Sequence, residues 1–240
     1  AWAARHRQPL KGVLLILVTA LVGIIVVLVL HRTVGGGLGP SPMLVHCTVV
    51  SVVVMFWLAI MWGGWPFNSV LKSPVAAGLA TIVLSYSVNV FLFRILFNYE
   101  FMKDAPVYVA SLDPRGMFPA WNVLVFYVTC LSMMFLMLHF DLWPLTKSPG
   151  LMRQPTLGLV WTVMVLALGA ALYHFGTRVL QMDVVQFLVR VPIPFIFGTI
   201  VVLNMLQNSL FGKLSQPTKG VANAVTAAVV RSALAVVDSR

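Results

Sequence analysis

Residues 154–175 read QPTLGLVWTVMVLALGAALYHF, and no charged side chain interrupts this run. About 20 apolar residues in a helix that rises about 1.5 Å per residue span the roughly 30 Å hydrocarbon core of a bilayer. Pro155 stands at the first turn, where the missing N–H of proline removes no helical hydrogen bond. This stretch therefore predicts a transmembrane helix that begins at an X-Pro step.

The same start recurs before three other apolar runs, each time with a glycine three or four residues after the proline. The four pairs are Pro9 and Gly12, Pro74 and Gly78, Pro155 and Gly158, and Pro217 and Gly220. Because they precede alternate runs, they predict parallel two-helix hairpin repeats whose copies all enter the membrane in the same direction. The alternative is that proline and glycine here only punctuate membrane connectors.

Seven apolar runs in total predict membrane spans, at residues 13–30, 43–62, 75–97, 120–140, 156–175, 194–210 and 221–237. We expect an all-α, polytopic transmembrane helical bundle that forms one integral-membrane domain over residues 1–240. The last run has the weakest pattern because it is rich in alanine and contains Arg231. The chain begins without Met and ends close after this run, so we expect it to be part of a longer protein.

The composition indicates a lipid environment. Hydrophobic residues make up 60% of the chain and charged residues 9%, whereas soluble domains carry about 25% charged residues. The net charge of +10 comes from basic residues between the apolar runs, where they contact lipid headgroups. No basic cluster alternates with stacking aromatics, so the expected partner is the bilayer and not nucleic acid.

The distribution of lysine and arginine near the span ends predicts the orientation. The side that carries the Pro-Gly phrases holds Arg5, Arg7, Lys11, Lys72, Lys147, Arg153, Lys213 and Lys219. The opposite side holds Arg32, Arg94, Lys103, Arg115, Arg178 and Arg190. Because basic residues are enriched in cytoplasmic loops, the Pro-Gly side is predicted to be cytoplasmic in a multi-pass protein of the cell membrane.

Several uncharged polar residues lie within the predicted spans. Those that predict a transport path are Ser85, Asn89, Asn122, Thr129, Asn204 and Gln207. In hydrocarbon such groups seek partners across helix interfaces, so we expect them to face the bundle. They line a hydrated route in one interpretation and only hold helices together in the other.

Histidines and an acid at the predicted outer helix ends form a possible metal site. Its proposed ligands are His31, His46, His174 and Asp183, which suit copper, zinc or iron. No pair of them has helical spacing, so the site exists only if the helices bring them together. Ordinary interfacial histidines are the alternative.

Three functions fit these patterns. The first is a component of a small-solute channel or transporter. The second is a structural or assembly subunit that binds other membrane subunits or itself, and the third is a metal-dependent redox or oxygenase-type enzyme subunit. The sequence has no Gly-rich phosphate loop, GxSxG or HExxH motif, so it identifies no catalytic residue and leaves enzymatic activity open.

Overall fold

The structure, a computed structural model, describes residues 9–39, 41–205 and 211–238, with side chains for 9–39, 41–203 and 211–229. The described chain is predominantly helical. The helices are α1 Leu10–Thr33, α2 Pro42–Phe56, α3 Phe67–Val70, α4 Pro74–Leu96, α5 Ala120–His139, α6 Thr156–His174, α7 Val184–Arg190, α8 Pro192–Ile200 and α9 Thr218–Asp238. Five-residue π-helical turns, Trp57–Met61, Phe175–Val179 and Val201–Met205, continue α2, α6 and α8.

Strand structure in the described residues is limited to one short parallel pair. Strand β1, Phe97–Asn98, follows α4 directly, and β2, Phe118–Pro119, leads into α5. The pair brings together the two ends of the connector between these helices. The connector is therefore closed at its base.

Six helical segments among the described residues are long and apolar enough to cross a membrane. They are Leu10–Thr33, Pro42–Met61, Pro74–Leu96, Ala120–His139, Thr156–Val179 and Val184–Leu203. The first five lie where the sequence predicts spans. The chain is thus a helical, membrane-embedded protein, while the number of spans stays a prediction.

The sixth and seventh predicted spans differ from the structure in detail. The sixth helical segment begins at Val184 and not at residue 194, because α7 ends at Arg190 and Pro192 starts α8 at once. The predicted span 194–210 also runs into residues 206–210, which lie outside the described residues. The seventh, 221–237, is helical as α9, but α9 is not among the six segments of spanning character.

Helix α1 shows most directly why the protein needs a lipid solvent. It is apolar all round, and only 6% of its most apolar window is buried within the protein. Ile16 and Leu17 are 69% and 60% exposed, and Leu30 is the buried residue of this helix. A helix that is hydrophobic on every face, and that the described residues leave mostly uncovered, is typical of a membrane interior.

The described chain packs as two compact units. The first comprises the residues up to Met55 together with Pro66–Ala120, and the second comprises Phe56–Trp65 and Trp121 onwards. In the second unit, Val125 and Val128 of α5 pack with Phe187 and Leu188 of α7. The single domain over residues 1–240 stays a prediction.

Helices α8 and α9 pack closely within the second unit. A methyl group added at Gly198 would collide with the backbone carbonyl of Ala227. Position 198 therefore has no room for a side chain, and the two backbones approach as closely as in small-residue interfaces of membrane helices.

Candidate functional site

A buried polar stripe runs along α4 in the first unit. The buried residues of this helix are Ala77, Thr81, Ser85, Asn89 and Phe93, which stand at every fourth position. Residues four apart lie on one face of a helix. Three consecutive polar positions, from Thr81 to Asn89, therefore form a stripe about 12 Å long on the protein-facing side of α4.

The two hydroxyl groups of the stripe use their hydrogens within the helix. Thr81 Oγ1 donates to the Ala77 carbonyl at 2.9 Å, and Ser85 Oγ donates to the Thr81 carbonyl at 2.7 Å. Each hydroxyl oxygen keeps its acceptor capacity because a hydroxyl donates once and accepts twice. The stripe therefore presents acceptors.

Asn89 is the most unusual polar group of the stripe. Its side-chain Nδ2 donates to the Cys47 carbonyl at 3.1 Å and lies 3.3 Å from the Cys47 Sγ. Its Oδ1 is buried and has no hydrogen-bond partner among the residues that the structure describes. A buried acceptor without a partner costs about 1–3 kcal/mol, so a donor from a bound molecule would be stabilised here.

His46, the neighbour of Cys47 on α2, pairs with Tyr99. His46 Nδ1 and the Tyr99 hydroxyl lie 3.0 Å apart, and the two rings stack with centroids 5.6 Å apart. Tyr99 also contacts Phe93, one turn after Asn89, with centroids 6.2 Å apart. The polar stripe of α4 thus ends at a buried cluster of stacked rings.

Asp113 holds Tyr99 in this position from the connector after α4. Its Oδ1 accepts the backbone N–H of Tyr99 at 3.2 Å and that of Arg115 at 2.9 Å. Its Oδ2 accepts the Tyr108 hydroxyl at 3.0 Å. Burial, followed by electrostatic interactions with Cys47 and Asp113, raises the pKa of Tyr99, so Tyr99 stays neutral and keeps its proton for a hydrogen bond.

In the second unit, two Pro-Gly phrases carry the same local arrangement, which we call the glutamine clasp. In the first clasp, Gln154 Oε1 accepts the N–H of Gly158 at 3.0 Å, and Gln154 Nε2 donates to the Met61 carbonyl at 2.9 Å. The absent side chain of Gly158 leaves room for the ring of Trp62. One side chain thus caps the start of α6 and joins it to the end of the helix before Trp62.

The second clasp repeats these contacts at the start of α9. Gln216 Oε1 accepts the N–H of Gly220 at 3.0 Å, and Gln216 Nε2 donates to the His139 carbonyl at 3.2 Å. Gly220 faces the ring of Phe140 as Gly158 faces Trp62. In both clasps, the glycine therefore packs against the aromatic residue that directly follows the accepting carbonyl.

An ion pair reinforces the second clasp. Asp141 accepts hydrogen bonds from Lys219 Nζ at 2.9 Å and from Gln216 Nε2 at 2.8 Å. Partial burial raises the pKa of Asp141, but these two hydrogen bonds and the attraction of Lys219 outweigh it, so the pKa lies below its ordinary value. Asp141 is therefore ionised at neutral pH.

The other two Pro-Gly phrases differ. Ser73 stands in place of glutamine before Pro74 and accepts the N–H of Ala76, while Gly78 has open space around it. Pro9 begins the first phrase directly before α1, and the preceding Gln8 lies outside the described residues. The parallel two-helix repeat over all four phrases stays a prediction.

The other residues of the predicted transport path are placed differently from Ser85 and Asn89. Thr129 is buried in α5 and donates to the Val125 carbonyl, whereas Asn122 is exposed. The side chain of Asn204 and all of Gln207 lie outside the described residues.

The predicted metal ligands have varied surroundings. In the first unit, His31 is half-buried and His46 is bonded to Tyr99; in the second, His174 is exposed and Asp183 caps the start of α7. Within the described ranges, no three His, Cys, Asp or Glu residues form a group that could hold a metal ion. The metal site stays a prediction without support from the described geometry.

His139 of the second unit is a buried polar residue that belongs to neither the predicted transport path nor the predicted metal site. This side chain is fully buried at the end of α5, with Nε2 3.0 Å from Thr199 Oγ1. Its Nδ1 has no hydrogen-bond partner within the described ranges. The pairing joins residues 60 positions apart. No local pattern signals it.

Comparison with family models, curated proteins and solved structures finds no match to this chain. The fold and composition define its class, a multi-pass membrane protein of apolar helices with a buried polar stripe on α4.

Proposed function

We propose that this chain is a component of a small-solute channel or transporter of the cell membrane, and that the polar stripe of α4 binds the solute. The observation that carries the proposal is the buried Asn89 Oδ1, which has no hydrogen-bond partner in the described part of the chain. A side chain that served only to join helices would lose stability through an unsatisfied acceptor. The same atom is stabilised whenever a solute or water molecule donates to it.

The chemistry of the stripe limits the solute class. Its side chains are hydroxyls and one amide, and no charged side chain stands on the buried face of α4 from Ala77 to Phe93. An ion would lose its hydration without a compensating charge. The stripe therefore suits a small neutral solute with N–H or O–H donors, such as water, a polyol or a small amide.

Orientation and partners belong to the same proposal. By the sequence prediction, the Pro-Gly phrase at the start of α4 lies on the side where lysine and arginine are enriched, which we propose to be cytoplasmic. The end of the stripe at His46 and Tyr99 then faces outwards. We also propose that the chain associates with itself or with other membrane subunits.

The test is solute flux through the purified full chain in vesicles, followed by light scattering after an osmotic step with water, glycerol or urea. Asn89→Leu removes both hydrogen-bonding groups at nearly constant volume. We expect flux to fall about tenfold, the equivalent of about 1.4 kcal/mol for one hydrogen bond in the route. Folding should be kept, because the unsatisfied oxygen is removed with the amide.

Ser87→Ala is the matched control. Ser87 lies on the exposed side of the same helix and donates to the Val83 carbonyl, so its loss should leave flux unchanged. Wild-type flux in a folded Asn89→Leu variant would contradict the proposal. Absence of flux from the wild type for every solute would favour the structural or assembly subunit instead.

A further inference from the structure

A groove lies between α1 and α4 in the first unit, apart from the polar stripe. Its volume is about 540 Å³, within the range of about 300–1,000 Å³ that is usual for small-molecule sites. It extends from Val22 and Leu79 at one end to Thr33 and Val90 at the other. The limits lie 11 residues apart on α1, from 22 to 33, and 11 residues apart on α4, from 79 to 90.

The length of the groove matches one leaflet of a bilayer. Eleven residues of helix rise about 16 Å, which is about half of the roughly 30 Å hydrocarbon core. Because one span separates α1 from α4, both helices cross the membrane in the same direction. The Thr33 and Val90 end is therefore nearer the membrane surface, since α1 ends at Thr33.

The polarity of the lining changes along the groove. The three hydroxyl-bearing lining residues, Thr33, Tyr86 and Ser87, all stand toward the surface end, and the remaining lining is aliphatic. Thr33 and Ser87 donate to carbonyls of their own helices, so neither requires a donor or acceptor from an occupant. The gradient from aliphatic to polar matches that of a lipid from its tail to its ester region.

Two arginines stand at the surface end. Arg32 precedes Thr33, and Arg94 lies one turn after Val90; both are exposed. Among the residues for which the structure gives side chains, the ion pair within 4.0 Å is Lys219 with Asp141, so neither arginine is neutralised by a carboxylate there. Arginine binds phosphate oxygens with two parallel hydrogen bonds.

We propose that the groove between α1 and α4 binds one acyl chain of an anionic phospholipid, whose phosphate is held by Arg32 and Arg94. The length of the groove, the polarity gradient of its lining and the positive charge at its surface end all favour a lipid from the leaflet on the side of Arg32. The proposal is independent of solute transport, because the lining residues are not those of the buried stripe.

The first test fills the groove. Val83 lines it and is 66% exposed, whereas Val75 of the same helix is 52% exposed and is not part of the lining. The full chain is incorporated into vesicles of equal parts phosphatidylglycerol and phosphatidylcholine, extracted in mild detergent and weighed by native mass spectrometry. Val83→Trp should lose the retained lipid, and Val75→Trp should keep it; equal retention in both variants would overturn the proposal.

The second test removes the phosphate contacts without altering the groove. In Arg32→Gln/Arg94→Gln, retention of phosphatidylglycerol should fall about 30-fold, which is about 2 kcal/mol at 1.4 kcal/mol per tenfold change and about 1 kcal/mol for each basic residue. Arg115→Gln/Arg178→Gln removes two exposed arginines elsewhere and should retain the lipid. Equal loss in both double variants, or equal retention of the two lipids by the wild type, would refute a specific headgroup site.

Discussion

Two glycines at the same place in their Pro-Gly phrases should respond in opposite ways to one added methyl group. At Gly158 the new Cβ would lie 2.6 Å from Trp62 Cδ2 and 2.9 Å from Gln154 Oε1. At Gly78 it would meet no atom of the described residues within 4 Å. The substitutions Gly158→Ala and Gly78→Ala therefore compare a closed site with an open one at the start of a long helix.

Three contributions determine the expected change in the free energy of unfolding of each variant. Alanine favours a helix over glycine by about 1 kcal/mol, which is the whole effect at Gly78. At Gly158, overpacking against a ring costs about 1–3 kcal/mol. Trp62 Nε1 donates to Thr162 Oγ1 at 3.2 Å, so a shift of the ring also loses a hydrogen bond of about 1 kcal/mol. The net loss in Gly158→Ala is about 1–3 kcal/mol, after subtraction of the propensity gain.

Thermal unfolding of the purified variants in one detergent measures the difference. For a chain of this size, 1 kcal/mol shifts Tm by about 2–4 °C. We expect Gly78→Ala to raise Tm by about 2–4 °C and Gly158→Ala to lower it by about 2–12 °C. A Gly158→Ala variant with Tm equal to or above that of the wild type would refute the close packing of Gly158 on Trp62 in the glutamine clasp.

Three further predictions concern other contacts. Gly198→Ala should destabilise the protein more than Gly158→Ala does, losing more than about 3 kcal/mol, because the obstacle is the rigid carbonyl of Ala227; a smaller Tm loss than in Gly158→Ala would contradict this. The ion pair between Lys219 and Asp141 lowers the pKa of Asp141, so the stability that it contributes should be present at neutral pH and lost as pH falls below the ordinary carboxyl pKa of 3.8. Lys219→Met should therefore make Tm depend less on acid pH, and an unchanged pH dependence of Tm would contradict this. Asp113→Ala should expose its connector to proteolysis, because three donors lose their acceptor; an unchanged cleavage rate would show that the β1–β2 pair holds the connector alone.

Local composition was sufficient to predict the long apolar helices. The span predicted at 75–97 is α4 at Pro74–Leu96, and the span predicted at 120–140 is α5 at Ala120–His139. Apolar length and a proline or capping residue at the start are local properties, so neighbouring residues alone carry the information. The sixth segment shows the limit, since the predicted span starts at residue 194 whereas helix both precedes and follows Pro192.

The contacts of the candidate site come only from tertiary packing. Asn89 reaches Cys47 across 42 residues, His46 reaches Tyr99 across 53, and Gln154 reaches Met61 across 93. Polar groups in hydrocarbon are expected to turn inwards, and Asn89 does lie on a buried face, whereas Asn122 is exposed. The sequence prediction grouped His46 with other histidines as a metal ligand, whereas the structure pairs it with a tyrosine from the connector after α4. Hydrophobicity selects which face of a helix is buried, but the choice of partner depends on the distances between helices, which no local pattern encodes.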